Sequence, residues 1–416
     1  MSSTASIPSA NFGPTHRWRV LGVGVAANAC FSAVLAGIPT TAISMRLDYH
    51  LDTAAVGFAL GLLGLGVAIS ELPWGVLTDR WGDRRVLLIG LGASTLLLTA
   101  MALGLAPAAG AIPVYAALTS AFLLVGVLSG SVNGASGRAV MAWFKEGERG
   151  FAMSIRQTAV PVGGGLGALI LPSLAATQGF AAVYLALALA FGLSAFFTWL
   201  WLHEPPIAES LKPVVAGAPA PSTLRDPTIW RLALAIGLAC CPQVAVLSFA
   251  ALFLHDFSGA SLGVISGALL LVQGGAAVSR IWSGRWTDRN RNRRFYLRAC
   301  ASWTVAAFVA LAAVVAIASA NPNLPATQFA IVALLVVGGV FASAWHGVAY
   351  TELATLAAAG RIGTALGLGN TCAFGAFFLT PVAIPLLLKI GAWPLVWLAA
   401  AGAALIARLL FPAPRP

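Results

Sequence analysis

Charge is what this sequence has least of. Only 9% of its 416 residues are Asp, Glu, Lys or Arg, where a soluble domain carries roughly a quarter. So thin a supply cannot cover a water-facing surface, which excludes a soluble globular protein and leaves a lipid bilayer as what the exterior faces. Disorder is excluded by the converse, because 59% of the residues are hydrophobic and disordered chains are poor in such residues. Cysteine is scarce as well. Cys30, Cys240, Cys241, Cys300 and Cys372 are odd in number and each sits in an apolar run without metal-ligand spacing, so neither a disulfide framework nor a zinc site is expected. Phosphate loops, nucleophile elbows and metal motifs are missing too, which argues against an enzyme or a cofactor and leaves gradients to drive any transport.

What the sequence has in plenty is long apolar runs. A spanning helix needs about 20 such residues, and twelve runs qualify, near 18–44, 53–77, 86–106, 112–138, 150–174, 179–202, 229–254, 260–284, 296–318, 326–350, 362–388 and 392–411. They lack strand-like alternation, so the expected fold class is an all-α membrane protein of twelve transmembrane helices rather than a barrel. Residues 1–16 are polar and proline-containing and are expected to form a disordered cytoplasmic tail, followed by an uncleaved first span.

The few charges are unevenly placed. The 24 Lys and Arg against 13 Asp and Glu give a net charge of +11. Arg80, Arg84, Arg85, Lys145, Arg149, Lys212, Arg225, Arg285, Arg289, Arg291, Arg293, Arg294 and Arg361 fall on one set of alternate loops, and only Arg46 and Lys389 on the other. The positive-inside rule makes the first set cytoplasmic, with both chain ends on that side of the cell inner membrane. The basic excess is thereby an orienting belt of short loops and implies no nucleic-acid partner. A proline-rich stretch at 203–228 reads as a cytoplasmic linker between six-helix bundles over 17–202 and 229–412.

The two bundles repeat one another. Gly75-Val-Leu-Thr-Asp79-Arg80 recurs 209 residues later as Gly284-Arg-Trp-Thr-Asp288-Arg289. The start of span five (Gly150 to Thr158) matches the start of span eleven (Gly363 to Thr371) at an offset of 213, and Asn133-Gly134 matches His346-Gly347 at the same offset. Parallel repeats about an axis normal to the membrane are a plan of secondary transporters. Gly75, Asp79, Gly82, Arg84 and Arg85, in the order G-x3-D-x2-G-x-R-R, make the chain resemble the major facilitator superfamily. The resemblance implies two pseudo-symmetric bundles that rock about a central path lined by helices one, two, four, five, seven, eight, ten and eleven. It also implies that Asp79 belongs to a gate rather than to the substrate site. The second copy departs from the pattern, with Arg291 in place of the second glycine, so like action of the two loops is not assumed.

The physics of the loops is readable without the family. Gly75 and Gly284 admit close helix contact and Gly82 a tight turn. Asp79, with Asp288 its repeat mate, is placed to meet the positive N-terminal end of a neighbouring helix, and Arg84 or Arg85 to pair with Glu146 or Glu148.

Ionisable residues inside spans are costly and are therefore functional candidates. Glu71, Arg156, Arg280 and His346 qualify. Glu71 and Arg280 each precede their loop aspartate by eight residues, about 12 Å of helix, and are expected to be partners across the pseudo-twofold axis. Arg156 with Gln157, and Arg280 with Gln273 two turns before it, suit a carboxylate, because a guanidinium donates in a planar fork and stays charged when desolvated. Asn28, Asn133 and Gln243 complete the candidate binding set, and Glu71 is the candidate for proton coupling. Pro161, followed by Gly164 and Gly165, removes a backbone hydrogen bond and permits a bend. Its P-x2-G-G core resembles part of a pattern seen in proton-coupled exporters of the superfamily, with Val160 where a glycine is expected. The expected function is rocker-switch transport of a small organic anion, with protons or exchange as the coupling. The alternatives are a proton-coupled exporter of drug-like compounds using Glu71 and a non-transporting membrane sensor. The expected partners are the small-molecule substrate, protons and the bilayer, and the expected oligomeric state is a monomer.

Overall fold

The computed structural model describes residues 13, 15–108, 111–203, 223–320, 325–358 and 360–414. The tail expected over 1–16 and the linker expected over 203–228 therefore lie mostly outside the described residues. Apart from one isolated bridge between Ala108 and Ala111, the described residues are helix and connecting loop. Ten helical stretches among them are long and apolar enough to cross a membrane. Their outer faces carry large apolar side chains at high exposure, Leu103 at 82% for example, a surface that only lipid can cover without penalty.

Helix α1 (His16–Ser32) runs through a π-helical turn (Ala33–Gly37) and a 3-10 turn (Ile38–Thr41) into α2 (Ala42–Asp48). Pro39 withholds a donor here, and the hydroxyls of Thr40 and Thr41 donate to the carbonyls of Gly37 and Ile38 at 2.6 and 2.8 Å. Next come α3 (Thr53–Trp81), α4 (Asp83–Gly104), α5 (Tyr115–Ser129), α6 (Ser131–Trp143) and α7 (Arg149–Trp201). Beyond residues 204–222 follow α8 (Pro227–Asp256), α9 (Leu262–Asn290), α10 (Arg293–Ala320), α11 (Pro325–Ala344), α12 (His346–Leu356) and α13 (Ile362–Leu410).

Two helices are too long to be single spans. The 53 residues of α7 would reach about 80 Å if straight, but Gly179 (φ 76°, ψ −179°) breaks the chain there. The 49 residues of α13 break at Gly391 and Ala392, with Ala392 at φ 54°. Each break falls where the apolar runs of the sequence are separated. A smaller interruption divides α5 from α6 at Gly130 and α11 from α12 at Trp345, 215 residues apart, so the repeat seen in the sequence extends to local backbone irregularities.

The segments before and after residues 204–222 meet along two seams at the arginine-rich end. In one, α3 lies against α13, and a Cβ on Gly75 would strike the Gly363 carbonyl and the Gly367 Cα. In the other, α9 lies against α7, and a Cβ on Gly284 would strike the Gly150 carbonyl and Ser154. Glycine is required at both because backbone, which cannot rotate away, occupies the space. Gly75→Val is therefore expected to lower the melting temperature of the purified protein by several degrees, since overpacking costs roughly 1–3 kcal/mol. Gly92→Val, at a helical site with nothing within 4 Å, leaves it unchanged; equal melting curves for the two variants would contradict the seam.

Candidate functional site

Between the two halves lies a cavity of about 390 Å³. Both halves supply its wall: Asn133 and Gln157 from α6 and α7, and Gln243, Gln273, Arg280 and His346 from α8, α9 and α12. Tyr350, Asn370 and the rings of Phe31, Phe374 and Phe377 complete its character, apolar with a few polar groups, as small-molecule sites are. Six of the sequence candidates are thus gathered on one wall. Three stand behind it: Arg156, Glu71 and Asn28.

The two arginines have different surroundings. Arg156 is 3% exposed and turns to its own half, with Nε donating to the Ser136 hydroxyl at 2.9 Å and Nη2 to the Asn133 carbonyl at 2.8 Å. Asn133 in turn donates through Nδ2 to Glu71 Oε1 at 2.5 Å, and Arg156 and Glu71 attract one another through this bridge. Asn28 donates to the Arg156 carbonyl at 3.3 Å. Glu71 is fully buried and its Oε2 has no hydrogen-bond partner among the described residues.

Arg280 is 2% exposed and lines the cavity. Its Nε donates to the Ser343 carbonyl at 2.7 Å and its Nη1 to the Gln157 carbonyl at 3.0 Å. His346 Nδ1 stands 3.4 Å from Arg280 Nη2 and 3.1 Å from the Ser343 carbonyl. That nitrogen can donate to the carbonyl or accept from the guanidinium, but not both. The pairing of Glu71 with Arg280 anticipated from their repeat positions is not made. Glu71 meets Asn133 of its own half and Asn370 of the other, Arg280 meets His346 of its own half and the Gln157 carbonyl of the other, and Asn133 and His346 are themselves repeat mates. Glu71 offsets Arg156, while among the described residues no carboxylate pairs with Arg280.

At the arginine-rich end the loop aspartates meet helix N-termini across the seams. Asp79 accepts from the backbone N–H groups of Gly363 and Thr364 at 2.7 and 2.6 Å, and from the Thr364 hydroxyl at 2.6 Å. Asp288 accepts from Gly150 and Phe151 at 3.1 and 2.9 Å. Both aspartates thus cap the opposing helix. Gly82 at φ 85° turns the first loop, and Arg291 at φ 51° takes a left-handed conformation in the second. The expected partners of Arg84 and Arg85 are also corrected. Arg84 donates to the Trp199 carbonyl at 2.7 Å and Arg85 is exposed, while Glu146 pairs with Arg293 and Glu148 with Arg17, each at 2.6 Å.

Some participants escaped the sequence reading. Arg138, which ends an apolar run, binds Asp83 and lies 3.7 Å from Asp79. Asn370 stands opposite Gln157 in the repeat offset of 213, which was the available signal for it. Tyr350 lies one helical turn beyond His346 on the same face.

Comparison with known proteins agrees with this architecture. The sequence model of the Major Facilitator Superfamily matches residues 24–321. An uncharacterized MFS-type transporter of Mycobacterium tuberculosis is 27% identical over 387 residues, covering 92% of this chain and 81% of its own. A probable galactarate/D-glucarate transporter of Bacillus subtilis is 29% identical over 156 residues, covering 37% of this chain and 34% of its own. Among solved structures, the human organic anion transporter MFSD10 superposes with a TM-score of 0.73 at 16% identity, covering 95% of this chain and 99% of its own. The proton:xylose symporter XylE gives a TM-score of 0.75 at 14% identity, covering 96% and 95%. At these identities the solved structures speak to the fold alone.

Proposed function

The chain belongs to the major facilitator superfamily, as a multi-pass membrane transporter and not an enzyme, and on that footing we propose that it carries a small organic anion bearing a carboxylate. The observation behind this reading is Arg280, a buried cation on the cavity wall whose hydrogen-bond partners are all neutral. A buried charge without a counter-charge is expensive, and an anionic solute in the cavity supplies the missing partner. The similarity over 156 residues to a probable galactarate/D-glucarate transporter points the same way.

The transport cycle proposed is alternating access between two six-helix bundles over 17–202 and 229–412, in twelve spans with both ends in the cytoplasm of a cell bounded by its inner membrane. On that topology the sealed, arginine-rich end is the cytoplasmic one. Both halves of the cavity wall come from one chain, so a monomer suffices. Glu71, one hydrogen bond behind the wall through Asn133, is the candidate for proton coupling. The exporter alternative gains no direct support from Glu71, which does not line the cavity.

Uptake of radiolabelled lactate, benzoate and D-glucarate into proteoliposomes tests the reading. At least one is expected to accumulate above protein-free liposomes, faster with an inward proton gradient. Glu71→Gln is expected to remove the gradient dependence while sparing exchange of substrate for substrate. Absence of flux for every carboxylate, with flux of a neutral or cationic solute, would overturn the anion assignment.

A further inference from the structure

Pro161 stands four residues beyond Gln157 in α7. In an uninterrupted α-helix the N–H of residue i+4 takes the carbonyl of residue i. Proline has no N–H, so the Gln157 carbonyl loses its helical donor inside the membrane, where water does not replace it. The donor it receives is Arg280 Nη1, at 3.0 Å, from α9 in the other half of the molecule. Pro161 itself lines the cavity beside Gln157.

This bond fixes the guanidinium as well as satisfying the carbonyl. Nε is held on one flank by Ser343 on α11 and Nη1 on the other by Gln157 on α7. Five N–H groups are available to an arginine. With these two engaged and one facing His346, one remains on each terminal nitrogen, the pair that receives the two oxygens of a carboxylate. The two flanking acceptors belong to different halves. When the halves rock, Gln157 travels with α7 and Arg280 with α9, so the fork is fully oriented only while these helices stay together.

We propose that Pro161 is a positioning residue for the substrate site: by withholding an N–H from Gln157 it gives the freed carbonyl to Arg280, tying the anion-binding guanidinium across the two halves. The choice of ligand rests on the anion reading above, whereas the tether does not. A solute bound to Arg280 thereby senses whether the halves are together, which is the differential affinity a ligand needs to shift a conformational equilibrium.

A double-mutant cycle on the full-length protein in nanodiscs tests the tether without any substrate. Spin labels on Arg80→Cys and Arg289→Cys, both exposed at the arginine-rich end, report separation of the halves. The five native cysteines are buried or half-buried. Pro161→Ala restores the competing N–H and is expected to enlarge the separated population by about tenfold or more, the order of a hydrogen bond to a charged group. Arg280→Gln is expected to do the same, and the double variant no more than the larger single one. Pro172→Ala is the control for simple helix straightening, because among the described residues no side chain donates to the Ala168 carbonyl four positions earlier; its effect, if any, multiplies with that of Arg280→Gln. An unchanged population in Pro161→Ala, or effects of Pro161→Ala and Arg280→Gln that multiply, would overturn the tether. A second measurement follows thermal stabilisation by lactate, benzoate or D-glucarate. Half-saturation is expected to rise about tenfold in Pro161→Ala and to stay unchanged in Pro172→Ala. If none of these carboxylates stabilises the native protein, the anion reading fails while the cycle still decides the tether.

Discussion

Arg280→Gln is expected to reduce carboxylate uptake by at least about thirtyfold. A carboxylate entering the cavity gives up its hydration, and the compensation comes from a guanidinium that is already dehydrated and already oriented by Ser343 and Gln157. Removing one partner of a buried charge pair typically costs about 2–5 kcal/mol, and each 1.4 kcal/mol is about a factor of ten. Glutamine keeps a donor at the site but neither the charge nor the fork. Arg280→Lys is expected to be intermediate, because an ammonium supplies the charge but cannot serve both flanking carbonyls and a bidentate ligand in one plane. Initial uptake rates in proteoliposomes measure both, and carboxylate-induced thermal stabilisation separates lost binding from lost folding. Arg156→Gln provides the contrast. Its guanidinium is engaged by Ser136 and the Asn133 carbonyl and does not line the cavity, so its loss acts through the Glu71 network. Equal uptake by Arg280→Gln and the native protein would end the argument from an unpaired cation.

The difference between these two arginines marks where the sequence stops being informative. Composition, apolar runs and the offset repeat carried the helical architecture, the close glycine seams at Gly75 and Gly284, and the meeting of Asp79 with a helix N-terminus, because each depends on local order or on symmetry. The repeat also makes Glu71 and Arg280 equivalent in sequence. What equivalence does not decide is whether two such residues face one another or each find other partners. That depends on the rotation of each helix, which packing fixes and spacing along one helix does not. Glu71 therefore went to Asn133 and Arg156, and Arg280 was left alone on the wall. The same limit hid Arg138, whose partners Asp79 and Asp83 lie on a loop some 55 residues away in the chain. The tether on Gln157 was half legible. Pro161 announced a missing hydrogen bond, but only the folded structure shows which donor replaces it.

The second large effect belongs to the aspartates at the sealed end. Asp79 and Asp288 each span two backbone N–H groups at the start of a helix in the opposite half. The first N–H groups of a helix have no partner within it, and the positive end of the helix dipole favours an anion there. Asparagine removes the charge and turns one acceptor into a donor aimed at an N–H. Hydrogen bonds to charged groups contribute roughly 1.5–3 kcal/mol, so Asp79→Asn is expected to move the population towards the separated state by about tenfold or more. Asp288→Asn is expected to do likewise, although Arg293, at 3.2 Å, then loses a partner in the same step. The two aspartates sit on separate seams, α3 with α13 and α9 with α7, and share no partner. Their effects on one opening equilibrium are therefore expected to add in free energy, and the double variant is expected to open by roughly the product of the single effects. Spin-label distances between Arg80→Cys and Arg289→Cys measure all three. A double variant no more open than either single one would mean that the aspartates close a single seam, and unchanged distances in all three would mean that the glycine contacts alone hold the end shut.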